Sequence, residues 1–182
     1  MRLLAVLILS IFLSSCGYKW GAAENLPFRS KIYVPFVEGD FYGMMTASLV
    51  QEIARSGSFI YSSYDADYDL IVTLSEVVEE NIGFRYQPDR RHQEVHLLVP
   101  SEGRLTVEAT VKIICRESGE PIAEPLILVE FVDFDHDYYS SHNNTNILSL
   151  GQLTEIDEAE DVAMRHLYRR LAKRIVDDLE AF

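Results

Sequence analysis

An α+β fold, a two-layer sandwich with two amphipathic helices packed on one face of a mostly antiparallel sheet, is what three features of the 182-residue sequence predict. Segments with period-two alternation fill the middle of the chain, a helical segment interrupts the first strands, and a longer helical segment closes it. Each helix carries an apolar stripe that needs a partner and the strands share an apolar face, so the simplest packing lays both helices on that face.

KIYVPFVE, from Lys31 to Glu38, is rich in β-branched and aromatic residues and runs into the turn-former Gly39-Asp40. Pro35 has no N–H for a ladder, so this strand is expected to lie at a sheet edge or to bend there. YGMMTASLVQEIARSG then places Met45, Leu49, Ile53 and Ala54 at helical spacing, with Gly57 as a stop. Tyr68 to Glu80, YDLIVTLSEVVEE, sets Leu70, Val72 and Leu74 against Ile71, Thr73 and Ser75 and reads as one strand. Arg104 to Arg116 alternates more clearly, with Leu105, Val107, Ala109, Val111 and Ile113 on one face. Thr106, Glu108, Thr110 and Lys112 occupy the other, which is the pattern of a half-buried strand with one wet face. The turn ESGEP leads to a third long strand, EPLILVEFVDF, and the set reads as an antiparallel meander. From Ile156 to Phe182, Val162 or Ala163, then Leu167, Leu171, Ile175, Leu179 and Phe182 recur at three- and four-residue intervals. Arg165, Arg169, Arg170, Lys173 and Arg174 fall largely between them, and Asp157, Glu158, Glu160 and Asp161 sit where acids complement the helix dipole.

The first residues belong to targeting and not to this fold. Arg2, an apolar run from Leu3 to Leu13 and the small pair Ser14-Ser15 form the layout of a secretory signal, too short to span a bilayer. LSSC, ending at Cys16, resembles the lipobox of bacterial lipoproteins, in which the cysteine sulfur carries diacylglycerol and the chain is cut before it. The other reading is an ordinary signal with an incidental cysteine. Acylation at Cys16 would anchor the chain stably, each buried methylene contributing about 0.8 kcal/mol. The expected organisation is a cleaved signal peptide over 1–15, a lipidated tether over 16–30, and a single domain over 31–182.

With Cys16 in a thioether, Cys115 is the one thiol left, so no disulfide forms within a chain and a hydrophobic core must hold the fold. Cys115 lies in VKIIC and is expected to be buried and inert. Loss of residues 1–15 removes one base and no acid, taking the formal charge from −13 to about −14. Such a chain repels nucleic-acid phosphates, so a nucleic-acid partner is not expected.

Neither a Walker or Rossmann glycine loop, nor GxSxG, nor HExxH is present. Asp133, Asp135, His136, Asp137 and His142 gather in DFDHDYYSSH, but calcium-loop spacing is missing and a polar run follows, so a solvated loop is the preferred reading and no metal is assigned. Acids are abundant on strands and at the helix start, the pattern of a solvated face, and no catalytic pair stands out. Helix arginines are expected to pair along the helix with Glu158, Asp161 or Asp177. In RYQPDRRH, read as a loop, Arg85, Arg90 and Arg91 have the fork geometry to hold a phosphorylated head group, while Asp89 offers the plainer reading of a solvated or partner-facing loop. Aromatics in loops and at strand ends, including Tyr61, Tyr64, Tyr68, Phe84, Tyr86 and Phe131, divide between core and interface, as do Phe134, Tyr138 and Tyr139.

The whole pattern resembles the family of the lipopolysaccharide-assembly lipoprotein, LptE. The matching features are Cys16 followed by Gly17-Tyr18, KIYVPFVE, LVQEIARSG, YDLIVTLSEVVEEN, RLTVEATVKIIC with its ESGE turn, and AMRHLYRRLAKRIVDDL. The resemblance implies a non-enzymatic, lipid-anchored lipoprotein on the periplasmic face of the outer membrane. Its implied partners are an LptD-like β-barrel, which it plugs and helps to assemble, and lipopolysaccharide, with Arg85, Arg90 and Arg91 as candidate contacts; no cofactor is implied. A tethered periplasmic binding module for a lipid or glycan, without a barrel, is the alternative expectation.

Overall fold

The computed structural model describes residues 26–27, 29–87, 97–136 and 156–181. The expected signal peptide, Cys16, Arg90, Arg91, Asp137, His142 and Phe182 lie outside them. Among the described residues, six strands and two helices follow in the order β1 (Lys31–Tyr33), α1 (Met44–Ser56), β2 (Ile60–Tyr61), β3 (Tyr68–Leu74), β4 (Val78–Gln87), β5 (Leu97–Cys115), β6 (Leu126–Asp135) and α2 (Ile156–Ala181). The fold is α+β, with both helices packed on a curled, mostly antiparallel sheet.

The nineteen-residue strand β5 is the spine. It pairs antiparallel with β3 over residues 109–115, with β4 over 97–106 and with β6 over 102–111. Because β6 overlaps both other stretches, β3 and β4 share one edge of β5 and β6 takes the other. β1 lies parallel between β2 and β3.

Tyr68 to Glu80 is therefore not one strand. Ser75 N–H still donates to the Glu108 carbonyl (2.8 Å), but Glu108 N–H donates to Ser75 Oγ (3.0 Å) in place of a backbone oxygen. Between the pairs Leu74–Ala109 and Val78–Thr106, three residues then face two, which makes a bulge. β4 resumes beyond it and carries Arg85, so that residue stands on a strand and not in a loop. The first strand is also interrupted, bending after Tyr33 and rejoining β3 only at the Glu38–Thr73 bridge. Pro35 in that interval produces the bend, while β1 itself is flanked on both sides.

Leu105, Val107, Ala109, Val111 and Ile113 of β5 all point into the core with Leu70, Val72 and Leu74 of β3 and Leu128 of β6. Met45, Leu49 and Ile53 of α1 and Ala163, Leu167, Leu171, Ile175 and Leu179 of α2 cover them. A fully buried leucine contributes roughly 1.5–3 kcal/mol, so these rows supply most of the drive to fold. Ala163, not Val162, continues the α2 stripe, and Ala54 faces outward. Leu26 and Ser30, within the stretch read as tether, are buried as well. Gly103 makes room for its cross-strand partner Phe134, since a Cβ there would lie 2.6 Å from the phenyl ring.

At the start of α1 the capping group comes from outside the helix. Asp40, only 2% exposed, accepts from Thr46 N–H (2.8 Å) and Thr46 Oγ1–H (2.8 Å) through Oδ2, while Thr46 Oγ1 accepts from Val37 N–H (3.1 Å). The helix ends at Gly57, whose φ of 73° is a conformation that glycine adopts without the Cβ penalty. Replacing Asp40 with Ala should cost about 1–3 kcal/mol in urea unfolding, with Asp40→Asn, which keeps an acceptor, costing less.

Candidate interaction surface

The sheet face away from the helices is built from the other half of each alternation. Ile127, Val129 and Phe131 of β6 are exposed on it, in register with Thr110, Glu108 and Thr106 of β5. Val78 of β4 is exposed across Thr106 from Phe131, and toward the far end of β5 exposed Phe84 of β4 and Leu98 of β5 form a second apolar group on the same face. Between them Arg104 grips Asp133 through Nε–H to Oδ1 (2.6 Å) and Nη2–H to Oδ2 (2.9 Å), and lies 4.4 Å above the Phe131 ring. The guanidinium holds the Asp133 carboxyl below the usual carboxylate range. Exposed Glu80, Glu102 and Glu108 complete a face that interleaves acids with large apolar side chains.

At the β6 margin the helix side of the sheet is latched by charge. Glu130, whose side chain is 9% exposed, meets Arg170 Nη2 at 2.7 Å and Arg174 Nη1 at 3.6 Å. Arg174 also donates to the Val129 carbonyl (3.0 Å). Two of the helix arginines thus pair across elements and not along the helix as their spacing suggested. Among the described residues, Lys173 with Asp177 (2.6 Å) is the intrahelical pair that forms.

Arg85 is exposed and in register with buried Val99, on the helix side of the sheet. The start of the segment read as a solvated loop is sheet: Asp133 and Asp135 lie on β6 and face outward, whereas His136 is buried beside Phe134, ring centroids 5.8 Å apart, with neither ring nitrogen hydrogen-bonded; Asp137 and His142 lie outside the described residues. Among the described residues no group of histidine, cysteine and carboxylate has the arrangement of a metal site. Cys115 is half-buried at the end of β5, not enclosed as its apolar run suggested, and its thiol is drawn below the ordinary range by the Ser118 backbone N–H and then the Ser118 side chain. Of the aromatics, Tyr61, Tyr68 and Phe134 pack on the core, while Tyr64, Phe84 and Phe131 are exposed.

Sequence reasoning passed over Phe36, Phe41 and Tyr42, all exposed around the Asp40 turn. A groove of about 640 Å³ runs past Phe36 along Ala47, Val50 and Ala54 of α1. A second, of about 490 Å³, lies between the 39–44 turn, the bulge at Ser75 to Val77 and the first turns of α2. The signal for these was the DFYG turn, where two adjacent aromatics stand outside any strand or helix pattern. Among the described residues, no helix is long and apolar enough to cross a membrane.

No protein-family model matches the sequence, and no curated protein does. Among solved structures, one from Caulobacter crescentus, provisionally described as a lipoprotein, superimposes with a TM-score of 0.51 at 14% identity, over 82% of this chain and 87% of that one. A minor lipoprotein from Acinetobacter baumannii gives 0.49 at 14% identity, over 83% and 90% of the two chains. Rare lipoprotein B from Shewanella oneidensis gives 0.48 at 12%, over 82% and 93%. The Caulobacter likeness is one of fold, and the chain therefore has a two-layer α+β architecture found among bacterial lipoproteins.

Glu130→Gln should lower stability by about 1–2 kcal/mol in denaturant unfolding, the half-exposed arginines limiting the loss. Alkylation of Cys115 by iodoacetamide in the folded protein should rise at lower pH than in the urea-unfolded chain. Ser118→Ala should move that profile only part of the way back, because the backbone donor remains.

Proposed function

We propose that this chain is a lipid-anchored outer-membrane lipoprotein that acts by binding and not by catalysis. It assembles with and plugs an LptD-like β-barrel translocon and assists delivery of lipopolysaccharide to the cell surface, with Cys16 as the lipid attachment point. The observation that carries this reading is the outer sheet face, where Ile127, Val129 and Phe131 stand exposed beside Arg104, Asp133 and Glu108 after both helices have been buried on the opposite side. Exposed aromatic and aliphatic rows of this kind mark protein interfaces, and the interleaved charges suit the polar lumen of a large barrel. The Caulobacter neighbour, provisionally described as a lipoprotein, supports the anchored part of the reading at the level of fold. Arg85, Arg90 and Arg91 are the candidate contacts for lipopolysaccharide phosphates. The second reading, a tethered module for a lipid or glycan, draws on the apolar groove along α1.

Crosslinking and pulldown of the full-length protein from its native envelope tests the assignment. The wild-type protein should retain a large β-barrel, and Val129→Asp with Phe131→Asp should retain at least tenfold less while unfolding at an unchanged temperature. A wild-type protein that brings down no barrel would sink the plug and leave the tethered module.

A further inference from the structure

The groove beside the first turns of α2 has walls of two chemistries. Phe41 and Tyr42, 92% and 86% exposed, supply its aromatic part together with apolar Met44 and Val77. Glu76, Asp157, Glu158, Glu160 and Asp161 supply its charge, Met164 and Tyr168 of α2 lie among them, and none of the lining residues is basic. Complementarity to the helix dipole accounts for Asp157 and Glu158 in the first turn. It does not account for Glu160 and Asp161, which lie further along, or for Glu76 and Glu79, which approach from the sheet. Glu160 is pushed above the usual carboxylate range by partial burial and then by Glu79, Asp157 and Asp161. Among the described residues, none of these carboxylates has an ion-pair partner. The fold leaves this charge uncompensated, and it buries neither Phe41 nor Tyr42.

We infer that this groove is a docking site for an arginine-bearing segment of a partner protein. A guanidinium plane can lie on the face of Phe41 or Tyr42 while its N–H fork meets a carboxylate, a pairing that neither an apolar segment nor an anionic one could make. The charged residues of the lining are all acidic and repel phosphate-bearing lipid head groups, which selects a protein segment over a membrane surface. Aromatic side chains ringed by charge are also the usual anchors of protein interfaces. The inference deepens the interaction reading above and rests on it for the identity of the partner, but the chemistry of the groove is testable without the barrel.

The test titrates the purified full-length lipoprotein, in detergent micelles, with a fluorescent tetra-arginine peptide, and compares three variants. Glu158→Gln with Asp161→Asn removes groove charge. Phe41→Ser with Tyr42→Ser removes the aromatic wall without touching the helix. Glu117→Gln with Glu124→Gln removes the same charge from the exposed β5–β6 connection. Saturable binding that weakens at least tenfold in both groove variants and less than twofold in the third is the expected result. Equal weakening in all three, no loss in the aromatic variant, or no saturable binding would overturn the inference. A barrel retained in pulldown with unchanged yield by both groove variants would also overturn it while leaving the plug standing. A wild-type protein that retains no barrel but binds the peptide as expected would sink the plug and leave the groove.

Discussion

The alternation of β5 governs everything else in the molecule. Over residues 102–106 the strand is bonded on one edge to β4 and on the other to β6, and over 109–111 to β3 and β6. A slip of one residue would turn Leu105, Val107 and Ala109 outward and place Thr106, Glu108 and Thr110 beneath the helices. That exchange would strip the core of its central row and bury a carboxylate without a partner, which the fold could not survive. Register along one strand thus fixes the helix-bearing face and the exposed face together.

The parts of the structure that the sequence disclosed are those with a short period. Both helices, the stop of α1 at Gly57 and the second half of β5 were legible because apolar residues recur at intervals that one strand or one helix turn can show by itself. The first half of β5 was not, because LLVPSEG has no period and a proline in its middle, and it is a strand only because β4 lies alongside. The bulge at Ser75 leaves no trace in hydropathy, since the exchange of a carbonyl for a hydroxyl as acceptor happens between strands. Asp133 and Asp135 read by composition as part of a solvated loop. Their separation from His136 follows from the same period-two rule that identified the strand, extended two residues further.

Charge pairing shows the same division between local and distant information. Spacing along α2 offers acids to every arginine, and Lys173 with Asp177 takes one of those offers. Arg170 and Arg174 instead meet Glu130, which is separated from them by most of the C-terminal third of the chain. Packing decides the matter. Glu130 falls on the inward row of β6, where water is scarce, and a carboxylate there gains more from two guanidinium groups than an exposed helix acid would. The groove beside α2 escaped sequence reading for a related reason, since the 39–44 turn, the Ser75 bulge and the helix start come together only in three dimensions.

Arg174 has a role beyond the latch. Among the described residues β6 has a strand neighbour on one side only, and its other margin carries backbone groups of the kind that recruit further strands. By bonding to the Val129 carbonyl and drawing Arg170 around the same margin, α2 puts two cations where an incoming strand would have to lie. Such a margin resists templated polymerisation while the apolar rows of the outer face are still uncovered. The two hazards of the sheet are thus treated differently: charge closes the β6 margin to strand addition, while the outer face keeps Ile127, Val129 and Phe131 exposed.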